Sequence, residues 1–115
     1  MTSNFPELNQ RIEEMADGDE EFRLELTQAI HRGLIELKNV YAEGSSEKDI
    51  HKIQQIRHKL KPTLSMFDFD LLTQNLQEGK EILESSGFDD RFAIHLNQFI
   101  QHVEMAIKEV ELISK

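Results

Sequence analysis

Cysteine is absent from this 115-residue chain. That excludes a disulfide scaffold, a thiolate zinc site and a cysteine nucleophile, and it suits a reducing compartment. Two prolines and five glycines leave few enforced breaks, so long helices are favoured over a many-turned β fold. No run of Lys and Arg occurs, and 13 basic against 22 acidic residues give a net charge of −9. Nucleic-acid binding needs clustered cations to displace counterions from phosphates, so nucleic acid is not an expected partner. An anionic membrane surface is disfavoured for the same reason. No apolar stretch reaches the length of a membrane span. Met1 to Gln10 has neither the basic start nor the apolar run of a signal peptide. A soluble, cytoplasmic protein is expected, and the opening Met1 favours a standalone chain. No glycine-rich phosphate loop is present, which removes ATP binding and with it an autonomous kinase.

What is present is apolar periodicity along the whole length, enough for one hydrophobic core in a single domain over residues 1–115. The first segment is short: Asn4 is placed to cap it, Pro6 sits near its first turn, and Leu8, Ile12 and Met15 recur at helical spacing. Ala16-Asp17-Gly18-Asp19 reads as a break, with Asp19 the cap of a second helix carrying Phe22, Leu26, Ile30, Leu34, Leu37 and Tyr41. Gly44-Ser45-Ser46 is expected to end it, with Ser46 and Asp49 opening the third. The third helix presents Ile50, Ile53, Ile56, Leu60, Leu64 and Phe67. A loop around Phe67-Asp68-Phe69 leads to a fourth with Leu72, Leu76 and Leu83. Ser85-Ser86-Gly87 stops that one, and Asp89 or Asp90 caps the last, whose stripe runs Phe92, Leu96, Phe99, Ile100, Val103, Ile107, Val110. Four long amphipathic helices on short links predict an all-α fold, an antiparallel up-down-up-down four-helix bundle, with the short N-terminal helix capping one end. An elongated coiled-coil dimer is the rival, and the short links argue against it.

The third helix carries one feature the core does not explain. At about 100° per residue, Ile53, Ile56, Leu60, Leu64 and Phe67 share one sector, and His58 lies roughly 150° from its middle. His58 is therefore expected to face solvent. Lys61 follows one turn on, Pro62 stands at i+4, and Ser65 at i+7 is nearly in line with His58, while His51, Gln54 and Gln55 precede it on the exposed side. A neutral imidazole is a competent nucleophile near neutral pH. An ammonium at i+3 can reach and partly neutralise the charge of a phosphoryl group carried there. The same pattern also fits an ordinary solvated helix face.

The stretch Arg57-His58-Lys59-Leu60-Lys61-Pro62-Thr63-Leu64-Ser65-Met66-Phe67 resembles the signature of histidine-containing phosphotransfer domains. That pattern is a histidine, any residue, an apolar residue, lysine, then usually glycine followed by small residues. Ala16-Asp17-Gly18-Asp19-Glu20-Glu21-Phe22 looks like the family's approach to its first bundle helix, and the likeness covers essentially the whole chain. The resemblance implies the bundle described above, with His58 as phosphoacceptor and Lys61 steadying the phosphoryl oxygens. Lys80, next to Gly79, matches the position from which the family faces a polar residue toward the histidine. It also implies a phosphoryl carrier in a two-component phosphorelay, not an autonomous enzyme. The partners would be response-regulator receiver domains and a hybrid sensor kinase, the protein would be monomeric, and it would hold no cofactor. Mg²⁺ would belong to the partner receiver. Two departures stand out: Pro62 replaces the glycine after Lys61, and Asp68 the glycine that commonly opens the next loop. Proline deletes the amide bond to the His58 carbonyl and disfavours helical geometry at Lys61, so a bend is expected there.

Pro62 also supports the alternative, a non-catalytic helical module that binds a receiver domain without accepting phosphate. Met66 and Phe67 are read as core or loop packing rather than docking surface. His31, His51, His95 and His102 are expected at the surface or boundary. Seven-residue pairs among the histidines make a metal site conceivable, yet no inward Glu-x-x-His motif occurs, and no metal is expected.

Overall fold

The structure is a computed structural model and describes Phe5 and residues 7–114. Among the described residues there are five helices and no strand: α1 (Leu8–Ala16), α2 (Glu20–Glu47), α3 (Ile50–Met66), α4 (Asp70–Ser86) and α5 (Asp90–Ile113). The expected Asn4 cap, the Pro6 position and Met1 lie outside the described residues.

Helix starts follow local chemistry. Asp19, Asp49 and Asp89 each precede a helix in extended geometry and accept a hydrogen bond from the amide three residues on, at 3.0, 3.1 and 3.1 Å. Helix ends depart from expectation at one place. α2 does not stop at Gly44 but runs to Glu47, and Asp49 alone, not Ser46, caps α3. The reason is tertiary: a Cβ on Gly44 would stand 2.9 Å from Ile53 Cγ1, so this glycine serves close approach of α2 and α3. The stop falls instead on Lys48 at φ 56°, where the Asp49 amide reaches back to the Gly44 carbonyl at 2.8 Å. α3 ends the same way. Asp68 takes φ 56°, and the Phe69 amide donates to the Leu64 carbonyl at 2.9 Å. Asp68 thus occupies the left-handed conformation that glycine would favour, and Arg11 Nε holds its carboxylate at 2.7 Å. Gly87, at φ 75°, closes α4 as expected. Pro62 does not interrupt α3, which stays helical through it to Met66.

α2 packs against α3 and α5, and α4 packs against the same two, so four helices enclose one core, with α1 laid on α2. Ile30, Leu34, Leu37 and Tyr41 meet Ile53, Ile56, Leu60 and Leu64, with Leu72 and Leu76 from α4 and Phe92, Phe99, Val103 and Val110 from α5. Each such side chain contributes about 1.5–3 kcal/mol on leaving water. The radius of gyration, 14.8 Å, is near the roughly 13 Å of a compact chain this long, as one bundle requires. Leu8 and Ile12 are fully buried, and the Phe5 ring packs edge-on against Phe69 at 5.5 Å, so α1 seals the end where α3 turns into α4. Phe22 and Ile50, each in a first helical turn, are 40% and 43% exposed and Met66 is 53% exposed, whereas Phe67 is buried. The expectation of a packed role therefore holds for Phe67 and not for Met66. No helix among the described residues is long and apolar enough to cross a membrane.

Candidate functional site

The α3 face toward α4 is a polar ridge at helical spacing: Gln54, Arg57, His58, Lys61. Across from it α4 offers Thr73, Leu76, Gln77 and Lys80 at the same spacing. Together these eight residues line a cavity of about 300 Å³. Leu76 is buried and supplies an apolar wall, while His58 and Lys61 are exposed at the mouth. A second cavity of about 180 Å³ adjoins it, lined by Ile50, Gln54, Arg57, Lys80, Leu83 and Glu84. Gln54, Arg57 and Lys80 are common to both.

Of the residues singled out in the sequence, His58, Lys61, Gln54 and Lys80 share this cavity, and Gln55, Pro62 and Ser65 do not line it. Helical geometry explains the division. Relative to His58, Gln54 and Lys61 turn about 40° and 60° toward α4, while Gln55 and Pro62 turn about 60° and 40° the other way. Ser65 is nearly in line with His58 but two turns further along. Arg57, Thr73, Leu76 and Gln77 were not anticipated. Arg57 was legible in principle, standing three residues after Gln54 and four before Lys61.

The cations of α3 divide by side. On the α2 side, Lys59 donates to Glu36 at 2.6 Å, and Lys52 to Glu43 and Glu47 at 2.7 and 2.8 Å. The hydrogen bonds to Glu43 and Glu47 raise the Lys52 pKa. On the α4 side, neither Arg57 nor Lys61 has a carboxylate within ion-pair distance among the described residues, and Lys80 has only Glu84, at 3.8 Å. The cavity is therefore a cationic spot on a strongly acidic chain. Oriented positive charge of this kind favours an anion and opposes another cation.

Against Gly79, the α4 residue next to Lys80, lies a buried polar pair. His95, only 2% exposed, is not at the surface or boundary as expected. Its Nε2 is hydrogen-bonded to the Tyr41 hydroxyl at 2.8 Å, 54 positions away. Gly79 leaves the room for this, since a Cβ there would come within 2.5 Å of His95 Nε2 and closer still to the Tyr41 hydroxyl. Burial pushes the Tyr41 phenol up and the His95 imidazole down, each toward its neutral form. The Arg57 charge opposes the rise at Tyr41, so the cavity's guanidinium is felt at the core phenol. His102 is half-buried and bonded to Asn75 at 2.7 Å, and His31 pairs with Glu111 at 3.0 Å. His51 is exposed. Among the described residues no group of three or more His, Asp or Glu is placed to hold a metal ion.

No family model, no curated protein sequence and no solved structure matches the chain.

Proposed function

We propose that this protein is a histidine phosphotransfer carrier of a two-component phosphorelay, with His58 as phosphoacceptor and Lys61 as the cation that steadies the carried group. The observation that supports this reading most is the solvent-facing imidazole at the mouth of a cavity whose charged side chains, Arg57, Lys61 and Lys80, are all cationic. A receiver domain carrying an aspartyl phosphate docks over α3 and α4 and brings its own Mg²⁺. The unprotonated ring nitrogen of His58 attacks phosphorus, forming an N–P bond. The acyl P–O bond breaks, and its electron pair stays on the departing aspartate carboxylate. Lys61 neutralises part of the charge on the phosphoryl oxygens. A second receiver's aspartate then takes the group by the reverse step. Chemistry of this kind needs positioning and electrostatics rather than a separate catalytic base. The protein would act as a cytoplasmic monomer, serving receiver domains and a hybrid sensor kinase.

The matching fold is an up-down-up-down bundle. Two bonds support that topology: Arg23 at the start of α2 donates to the Ile113 carbonyl at the end of α5, at 3.1 Å, and Arg11 of α1 ties down the α3–α4 turn. Both are consistent with alternate helices running in opposite directions.

One observation favours a second reading, a module that binds receivers without accepting phosphate. Pro62 is exposed one turn beyond His58, where it fills space that glycine would leave to a partner, and it has no amide for the His58 carbonyl. Incubation with a phosphorylated receiver separates the two. The carrier reading expects acid-labile label on the wild type and none on His58→Gln. Label retained by His58→Gln, or no label on the wild type across several receivers, refutes it.

A further inference from the structure

We infer that the cavity beside His58 is a non-covalent site for a phosphate-class dianion, and that Arg57 is its principal ligand. The inference rests on the phosphotransfer reading for its use, but the binding itself needs no bond to the imidazole.

The charge pattern comes first. In a chain of net charge −9, carboxylates are plentiful, and both lysines on the α2 side of α3 have captured one. Arg57 has none among the described residues, although it is only half-exposed and sits at the junction of the two adjoining cavities, of about 300 and 180 Å³. A single water needs only about 10–15 Å³, so the space admits an oxyanion together with its hydration.

Side-chain chemistry distinguishes Arg57 from its neighbours. Lys61 and Lys80 are exposed ammonium groups, compact and strongly hydrated, able to supply field but little geometry. A guanidinium offers a planar fork of N–H donors that matches two oxygens of a phosphate at once, and it is less costly to desolvate. Gln54, Thr73 and Gln77 add uncharged polar groups around the same space; among the described residues no carboxylate lines the larger cavity, and Glu84 lines the smaller. Such a site would hold an arriving phosphoryl group in register with His58. It would also keep the phosphorylated imidazole from reacting with water, by fixing its oxygens.

The test begins in a His58→Gln background, in which no N–P bond can form at position 58. Inorganic phosphate is titrated in, and the amide resonances of α3 and α4 are followed by NMR. A saturable shift is expected, with affinity weakened roughly tenfold or more by adding Arg57→Gln, the size of a lost charge-assisted bond. Arg57→Lys, which keeps the charge and loses the fork, should fall between. Lys38→Gln, on α2 and outside both cavities, should leave the titration unchanged. Equal affinity with and without Arg57, or no saturable shift at all, overturns the inference. Such a result would leave Arg57 to pair with an acidic side chain of a partner. A second arm uses the chain with His58 intact, labelled by a phosphorylated receiver. The label should be lost severalfold faster from Arg57→Gln, and an unchanged lifetime counts against the site. Arg57-dependent phosphate binding in a protein that never takes label would sink the carrier reading and leave the oxyanion site standing. Label without such binding does the reverse.

Discussion

Replacing Gly79 with alanine sets two physical effects of opposite sign against each other inside α4. Helix propensity alone favours the change by about 1 kcal/mol, because alanine loses less backbone entropy. Packing opposes it. The new methyl would stand 2.5 Å from His95 Nε2 and closer to the Tyr41 hydroxyl, where ordinary contacts begin near 3.4 Å. Neither neighbour is a flexible tip: the Tyr41 ring lies against Phe99 at 4.5 Å and Phe92 at 6.2 Å, and His95 against the same two rings. Overpacking of this kind costs about 1–3 kcal/mol, and parting the buried Tyr41–His95 bond adds about 1–3 kcal/mol for groups left unpaired. The net expectation is a loss of about 1–5 kcal/mol, or a melting point lower by about 4 °C or more for a domain of this size. Urea and thermal unfolding followed by circular dichroism measure it. Gly33→Ala is the internal control, because its methyl meets only the tip of Leu60, at 3.1 Å, and should change stability by no more than about 1 kcal/mol. In a Tyr41→Phe background the cost of Gly79→Ala should shrink, since the nearest clashing atom is gone. Gly79→Ala as stable as the wild type, or more so, would refute the claim that this glycine exists to admit the Tyr41–His95 bond.

Stability should also depend on pH through His95. Burial lowers its folded-state pKa below the ordinary 6.5, so between those two values the unfolded chain binds more protons than the folded one. Its contribution is complete above pH 6.5 and is lost as pH falls toward the depressed folded value. Unfolding midpoints across that window should decline on acidification, and His95→Phe should flatten the slope. An unchanged slope in His95→Phe would assign the effect elsewhere. Pro62→Ala restores the amide that the His58 carbonyl lacks and should stabilise α3 by about 1–3 kcal/mol, read from denaturant midpoints. A destabilised Pro62→Ala would mean that the proline ring makes a contact worth more than the hydrogen bond it forfeits.

The parts of this molecule legible in its sequence are those decided within a turn or two of chain. Asp19 and Asp89 cap because an aspartate can reach the amide three residues on, whatever else surrounds it. The outward aspect of His58 follows from its position opposite Ile53, Ile56, Leu60 and Leu64. Where the deciding partner is remote, the pattern misleads. Gly44 has the appearance of a helix stop, yet Ile53 of the neighbouring helix determines its use. His95 reads as a surface residue until Tyr41 is brought beside it. The candidate site divides in the same way. His58 and Lys61 belong to one helix, and their spacing announces them. Which flank of α3 meets α4, and hence the selection of Arg57 and Gln54 over Gln55 and Pro62, depends on how the two helices pack.

The phenol that senses the Arg57 charge from within the core belongs to the chain's sole tyrosine, in a protein without tryptophan. Its ultraviolet emission is thus a built-in reporter that watches a single location, free of background from any other indole or phenol. Quenching by the hydrogen-bonded imidazole, or by altered charge around Arg57, would register as brightness, so ligand arrival and acidification can each be followed in a cuvette without attaching a dye.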